Sequence, residues 1–225
     1  MTLEGTNTWV LGEPGARRGV VVDPGEDSPA HRAAIRAELD RRALRCALVV
    51  VTHHHLDHVG GLDAFRAEHD DAPVRREPGT LTVDGLRMDV LATPGHTADS
   101  ISVLLPAEAS LLTGDTVLGR GSTVLAEPDG DLAAYLDSLD RLLALDAAVL
   151  LPGHGPARTD ARAALTTQRD HRRARLEQVR AARASGLADL DALVVAVHGP
   201  LDERLHRAAR ASIRAQLAYL DDADT

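Results

Sequence analysis

The chain has 225 residues, 44% hydrophobic and 26% charged, a composition that fits one globular domain or a main domain with a small appendage and excludes a disordered chain. Its formal charge of -9 argues against electrostatic coating of nucleic acid, and aromatic residues at 2% leave few platforms on which bases could stack. A single cysteine, Cys46, excludes an internal disulfide, and its apolar run from Ala43 to Val51 predicts a buried structural role.

The first six residues carry no basic segment and no long apolar stretch, so neither a signal peptide nor a spanning helix is expected, and the cytoplasm is the default compartment. Trp9-Val10-Leu11 and Gly19-Val20-Val21-Val22 read as two short strands joined by a turn rich in Gly and Pro and closed by Asp23-Pro24-Gly25. Ser28-Pro29 then starts a helix on which Ile35, Leu39 and Leu44 recur at near-helical spacing, before the β-branched strand Leu48-Val49-Val50-Val51. Strand, helix, strand points to α/β architecture.

After the run His53-His54-His55-Leu56-Asp57-His58, Gly60-Gly61 opens a short helix through Phe65 and Glu68 that Asp70-Asp71-Ala72-Pro73 ends. Three strands follow, Thr80 to Val83, Arg87 to Leu91 across an Asp84-Gly85 turn, and Ser100 to Leu105, with Ala109-Ser110-Leu111-Leu112 leading into Thr113-Gly114-Asp115. Leu132, Leu136, Leu139, Leu142 and Leu143 share one helical face, and Ala147 to Leu151 reads as a strand entering Pro152-Gly153-His154-Gly155. Beyond Pro156 the pattern is helical, in stretches near 160–186, 188–198 and 202–220, so a main domain over 1–158 and a helical tail over 159–225 are expected.

Zinc takes imidazole and carboxylate ligands, and an extended turn points His53 and His55 the same way, with Asp57 and His58 close enough to serve a neighbouring ion. More ligands come from His96 in Pro94-Gly95-His96, Asp115 and His154, each on a loop after a strand and each beside a glycine. Desolvating this many imidazoles without a metal would be costly. Alternation turns His54 away from its neighbours, Leu56 is expected to pack, and Asp23 is either a turn former or a support for a ligating histidine. His31, His69, His171, His198 and His206 are expected to be surface or satisfied core groups.

These residues together resemble the metallo-β-lactamase fold superfamily over nearly the whole chain. The resemblance implies a four-layer αββα sandwich, one metal on His53, His55 and His96, a second on Asp57, His58 and His154, and Asp115 bridging them. The opening Met1-Thr2-Leu3-Glu4-Gly5-Thr6-Asn7-Thr8-Trp9, the segment Gly114-Asp115-Thr116-Val117-Leu118-Gly119 with Ser122-Thr123-Val124, and Pro152-Gly153-His154-Gly155-Pro156 resemble the lactamase-beta-2-like branch, which includes endoribonucleases and polyketide-carrier thioesterases. That branch has a winged-helix-like tail, to which His171-Arg172 and Leu205 to Ala209 are similar. Against it, the family chain normally begins upstream of the segment matching Met1 and the stretch between Asp70 and Thr80 is shortened, so a missing edge strand and an exposed sheet edge are expected. Thr52-His53-His54-His55 also resembles the glyoxalase II signature, although Gly153-His154-Gly155-Pro156 departs from that family's Gly-His-Glu-Tyr loop.

The expected chemistry is hydrolysis by a hydroxide between two zinc ions roughly 3.5–4 Å apart, with Asp57 and Asp115 in catalytic roles. Another divalent metal could replace zinc. Two substrate classes stay open at this point, single-stranded RNA phosphodiesters and small-molecule esters or thioesters, including hydroxyacylglutathione. Arg169, Arg172 and Arg173, with Arg175, Arg180 and Arg183, are the candidates for an RNA-backbone face, set against a merely solvated helix. A non-catalytic module stabilised by metal is the competing class, and one cysteine counts against it because structural zinc is usually closed by thiolates.

Overall fold

The computed structural model describes residues 4–126 and 128–223, with its strands divided between two sheets. The first sheet runs β1 (Trp9–Leu11), β2 (Arg18–Val22), β3 (Arg45–Val50), β4 (Val74–Arg75), antiparallel between β1 and β2 and parallel thereafter. The second runs β5 (Gly79–Val83), β6 (Leu86–Ala92), β7 (Ile101–Leu105), β8 (Ser110–Gly114), β9 (Val149–Pro152), antiparallel until β9 joins β8 in parallel.

Strand alternation stacks these sheets. Val20 and Val22 of β2, with Val50 of β3, face Met88, Val90, Val103 and Leu112 in a cluster between the sheets. Val21 and Val49 face the other way, onto Ile35 and Leu39 of α1 (Pro29–Arg41) and Leu62 and Phe65 of α3 (Leu62–Ala67). On the far side, Leu111 and Leu150 pack against α4 (Leu132–Leu143) and the helices α5 (Ala161–Ala184), α6 (Leu190–His198) and α7 (Glu203–Ala223). Helices, sheet, sheet, helices is the four-layer αββα sandwich expected from the resemblance. Each fully buried Val or Leu in it contributes about 1.5–3 kcal/mol.

Local signals place several boundaries. Ser28 caps α1 by accepting a hydrogen bond from the His31 amide at 3.3 Å, with Pro29 at its first position. Asp131 caps α4 in the same way through Ala134. The β5–β6 turn has Asp84 at φ 44° and Gly85 at φ 91°, the pairing that suits a two-residue hairpin.

Two elements differ from expectation. Strand β4 covers two residues, too few for alternation to signal, and is fixed by Val49 N donating to Pro73 O at 2.9 Å and Val51 N to Arg75 O at 3.0 Å. The metal-rich run contains a one-turn helix, α2 (Leu56–Val59). Leu56 therefore does not pack as expected: it is 77% exposed, because it lies about 200° around the helix from the fully buried His58. The three-residue β1 and the two-residue β4 form the edges of the first sheet. Met1, Thr2 and Leu3, part of the segment read against the family's start, lie outside the described residues. After β9 the described residues form helices and no named strand.

Candidate metal centre

The loops that follow β2, β3, β6, β8 and β9 converge at the C-terminal ends of those strands, and they carry Asp23, the run from His53 to His58, His96, Asp115 and His154. Three groups of inward-facing donor atoms result, His53, His55 and His96; His53, His58 and Asp115; and Asp57, His58 and His154, each with its atoms within 4.8 Å of one another. His53 Nε2 lies 3.0 Å from His55 Nδ1, which lies 3.1 Å from His96 Nε2. In the other group His58 Nε2 lies 3.3 Å from His154 Nε2, and His154 Nε2 lies 3.3 Å from Asp57 Oδ2. Asp115 reaches across: 3.4 Å to His58, 3.4 Å to His154 and 3.8 Å to His96.

The outer nitrogens explain why the inner ones point inward. His58 Nδ1 meets Asp23 Oδ2 at 2.8 Å, and Asp23 also accepts from the Thr52 amide and hydroxyl, both at 2.7 Å. His96 Nδ1 meets Val124 O and Thr123 Oγ1 at 3.0 Å each, His154 Nδ1 meets Gly5 O at 2.8 Å, and His53 Nδ1 meets Thr52 Oγ1 at 3.1 Å. An imidazole that donates through Nδ1 presents the Nε2 lone pair on its other side, the arrangement that metal-ligating histidines adopt. Asn7 fixes the His154 loop at both ends, its side-chain nitrogen donating to Pro152 O at 3.0 Å and Gly155 O at 2.7 Å.

Do these residues fit a cation? Facing imidazole nitrogens repel through their lone pairs unless something positive lies between them, and the edges of a tetrahedral zinc site with nitrogen ligands are roughly 3.3 Å, close to the spacings here. Asp115 Oδ1 is buried without a hydrogen-bond partner. Gly153 keeps the cradle open: a Cβ there would stand 2.6 Å from Asp115 Oδ1 and 2.8 Å from His58 Cε1. The donor set fits the expected metals.

Electrostatics point the same way. Burial, assisted by the neighbouring His58, pushes His53 down to about 2. Burial likewise lowers His55 and His96, so this trio offers neutral lone pairs. Burial also opposes charge on His58 and His154, but Asp23 and Asp115 outweigh it at His58, raising it to about 10, and Asp115 and Asp57 outweigh it at His154, raising it to about 9. The His154 hydrogen bond holds Asp57 at about 2. Burial opposes ionisation of Asp115, yet the bonds from His154 and His58 keep it well below the carboxylate range. Positive charge is thus held beside Asp115 by protons, which a divalent cation would displace.

His54 faces out, bonded to Asp99 at 2.9 Å and Asp129 at 3.1 Å. His31 bonds Thr8 Oγ1 at 2.7 Å, and neither it nor His69, His171, His198 or His206 joins the ligand groups. Arg172 is buried under the 122–124 segment, Arg169 and Arg173 share Asp140 at 3.1 Å and 2.9 Å, Arg175 binds Val197 O, and Arg180 and Arg183 pair with Glu177 and Asp221. Arginine-rich helices look alike in sequence whether their charges are free or paired across neighbours. Sequence reasoning misses the orienting roles of Thr52, Thr123 and Asn7, since hydroxyls and amides beside ligands carry no pattern of their own.

A two-sheet sandwich with a His/Asp centre at the strand ends defines a class of metalloproteins, and similarity to known proteins gives that class its name. The chain belongs to the metallo-beta-lactamase superfamily, whose model matches residues 1–83 and 70–154. It is 37% identical to a beta-lactamase-like protein 2 homolog of Caenorhabditis elegans over 69% of this chain and 57% of that protein. It is 31% identical to an atrochrysone carboxyl ACP thioesterase of Aspergillus fumigatus over 92% and 54%. The chain therefore spans little more than half the length of these relatives. Among solved structures, the metallo-beta-lactamase family protein TTHA1429 of Thermus thermophilus superposes with a TM-score of 0.76 at 26% identity, covering 97% of this chain and 89% of that one. TTHA1623, solved in a di-iron-bound form, superposes with a TM-score of 0.57 at 26% identity over 70% and 91%.

Proposed function

We propose that this chain is a two-metal hydrolase acting on acyl thioesters. The observation that carries the reading is the convergence of His53, His55 and His96 on one side and Asp57, His58 and His154 on the other, with Asp115 between them. Zinc ions, or iron as in the di-iron relative, would be held by these two groups together with Asp115 and would supply Lewis-acid polarisation of a carbonyl and an acidified water as nucleophile.

The chain's own residues do the remaining work. Asp57, half-buried at the mouth and ionised, orients the attacking water and accepts its hydrogen bond. Asp23 and Thr52 hold His58 in the tautomer that offers Nε2. Leu56, next to His55 in the chain, and Val124, whose carbonyl meets His96 Nδ1, are both exposed and are the apolar side chains available to an acyl group. Those exposed apolar side chains and the paired arginines favour a thioester over an RNA backbone, and one relative is named an ACP thioesterase.

The test is a panel of acyl-N-acetylcysteamine thioesters, hydroxyacylglutathione and single-stranded RNA. Thioester hydrolysis is expected, abolished by chelation and reduced about 10²–10³-fold in Asp115→Ala, while Leu56→Asp raises KM for acyl substrates with kcat little changed. RNA cleavage that exceeds thioester hydrolysis contradicts the substrate class.

A further inference from the structure

We infer that Arg172 and Gln168, one turn apart on α5, are positioning residues for His96. The inference rests on the metal reading above and concerns how one ligand is held. Three successive residues, Ser122, Thr123 and Val124, form the contact. Thr123 Oγ1 and Val124 O both meet His96 Nδ1 at 3.0 Å. Behind them, the Arg172 guanidinium donates to Thr123 O, and Gln168 Nε2 donates to Ser122 Oγ at 2.7 Å. The same amide reaches the Tyr135 hydroxyl at 3.1 Å, and that hydroxyl donates to Thr116 O at 2.6 Å, beside Asp115.

Arg172 is an unusual group to find here. It is 6% exposed, lies 5.2 Å from the centroid of the Tyr135 ring, makes no ion pair among the described residues, and leaves Nε without a partner. A guanidinium buried without a carboxylate does not act as half of a salt bridge and is too enclosed to meet substrate. Its contact is the carbonyl of the peptide that carries the His96 acceptors. Supports that fix the orientation of a ligating histidine change metal affinity by about 10–100-fold when removed.

The experiment measures metal affinity in the full-length chain by competition with a chelator, with cobalt(II) absorption reporting on the three-histidine position. Arg172→Met is expected to weaken the ion at His53, His55 and His96 by about 10–100-fold, leaving the other ion within a few-fold and the melting of the metal-free protein nearly unchanged. Arg172→Lys, which keeps one donor, recovers part of the loss. Should Arg172→Met not fold, Gln168→Leu is measured instead, with a weakening confined to the same position. Unchanged affinity in the variant, or equal loss at both positions with collapse of the metal-free protein, overturns the inference. Wild-type protein that binds no metal overturns the hydrolase reading itself and this inference with it.

Discussion

Burial pushes the Cys46 thiol up to about 11 from its ordinary 9.0, because the side chain lies in the cluster between α1 and the first sheet. Between those values the unfolded chain loses its thiol proton while the folded chain keeps it. Stability is therefore highest below about pH 9 and falls as pH rises towards 11. At pH 8 iodoacetamide is expected to label the native protein far more slowly than the urea-unfolded one, and labelling at the free-thiol rate would contradict the burial. The donor residues of the candidate centre are legible from sequence because His and Asp recur in loops after apolar strands, His96, Asp115 and His154 each beside a glycine. The residues that orient them are not. Asp23 reads equally well as a turn former, and in the structure it bonds both Thr52 and His58. Arg172 reads as a surface cation, and its burial follows from the packing of α5 over α4, which no local pattern encodes.

Helix α4 rests its first turn directly on the loop that carries His96. Asp131 N donates to Gly95 O at 2.9 Å, and a Cβ on Gly95, whose φ is +134°, would stand 2.4 Å from Tyr135 Cα. Gly95→Ala is expected to destabilise by about 2–4 kcal/mol through overpacking and backbone strain, lowering Tm by roughly 5–15 °C for a chain of this size. Gly15→Ala, with a positive φ but nothing within 4 Å, should cost less than half as much in the same thermal melt. Equal losses would show that the close approach is not the cause. The long amphipathic helices and the alternating strands are readable because each repeats its period several times. Strand β4 and helix α2 are not, being only 2 and 4 residues long, and pairing with β3 and ligand convergence decide them.

Across the whole molecule, the sandwich brings strand ends from both sheets to one rim, and the candidate donors come from loops up to 101 residues apart, from His53 to His154 (154 minus 53). Their order along the chain carries the resemblance to the family, and the sheet topology assembles them. The helices after β9 share one continuous apolar cluster with α4, through Leu165, Leu176, Val179, Leu193 and Ile213, so the support they give His96 is built into the core. No helix among the described residues is long and apolar enough to cross a membrane. The most direct test of the two-metal hydrolase is elemental analysis of the purified full-length chain, alongside thioester hydrolysis during stepwise chelation and reloading. Two ions of zinc or iron per chain, with hydrolysis lost on chelation and restored as they return, is the expected result. Fewer than one ion per chain, or hydrolysis that survives complete metal removal, would contradict it.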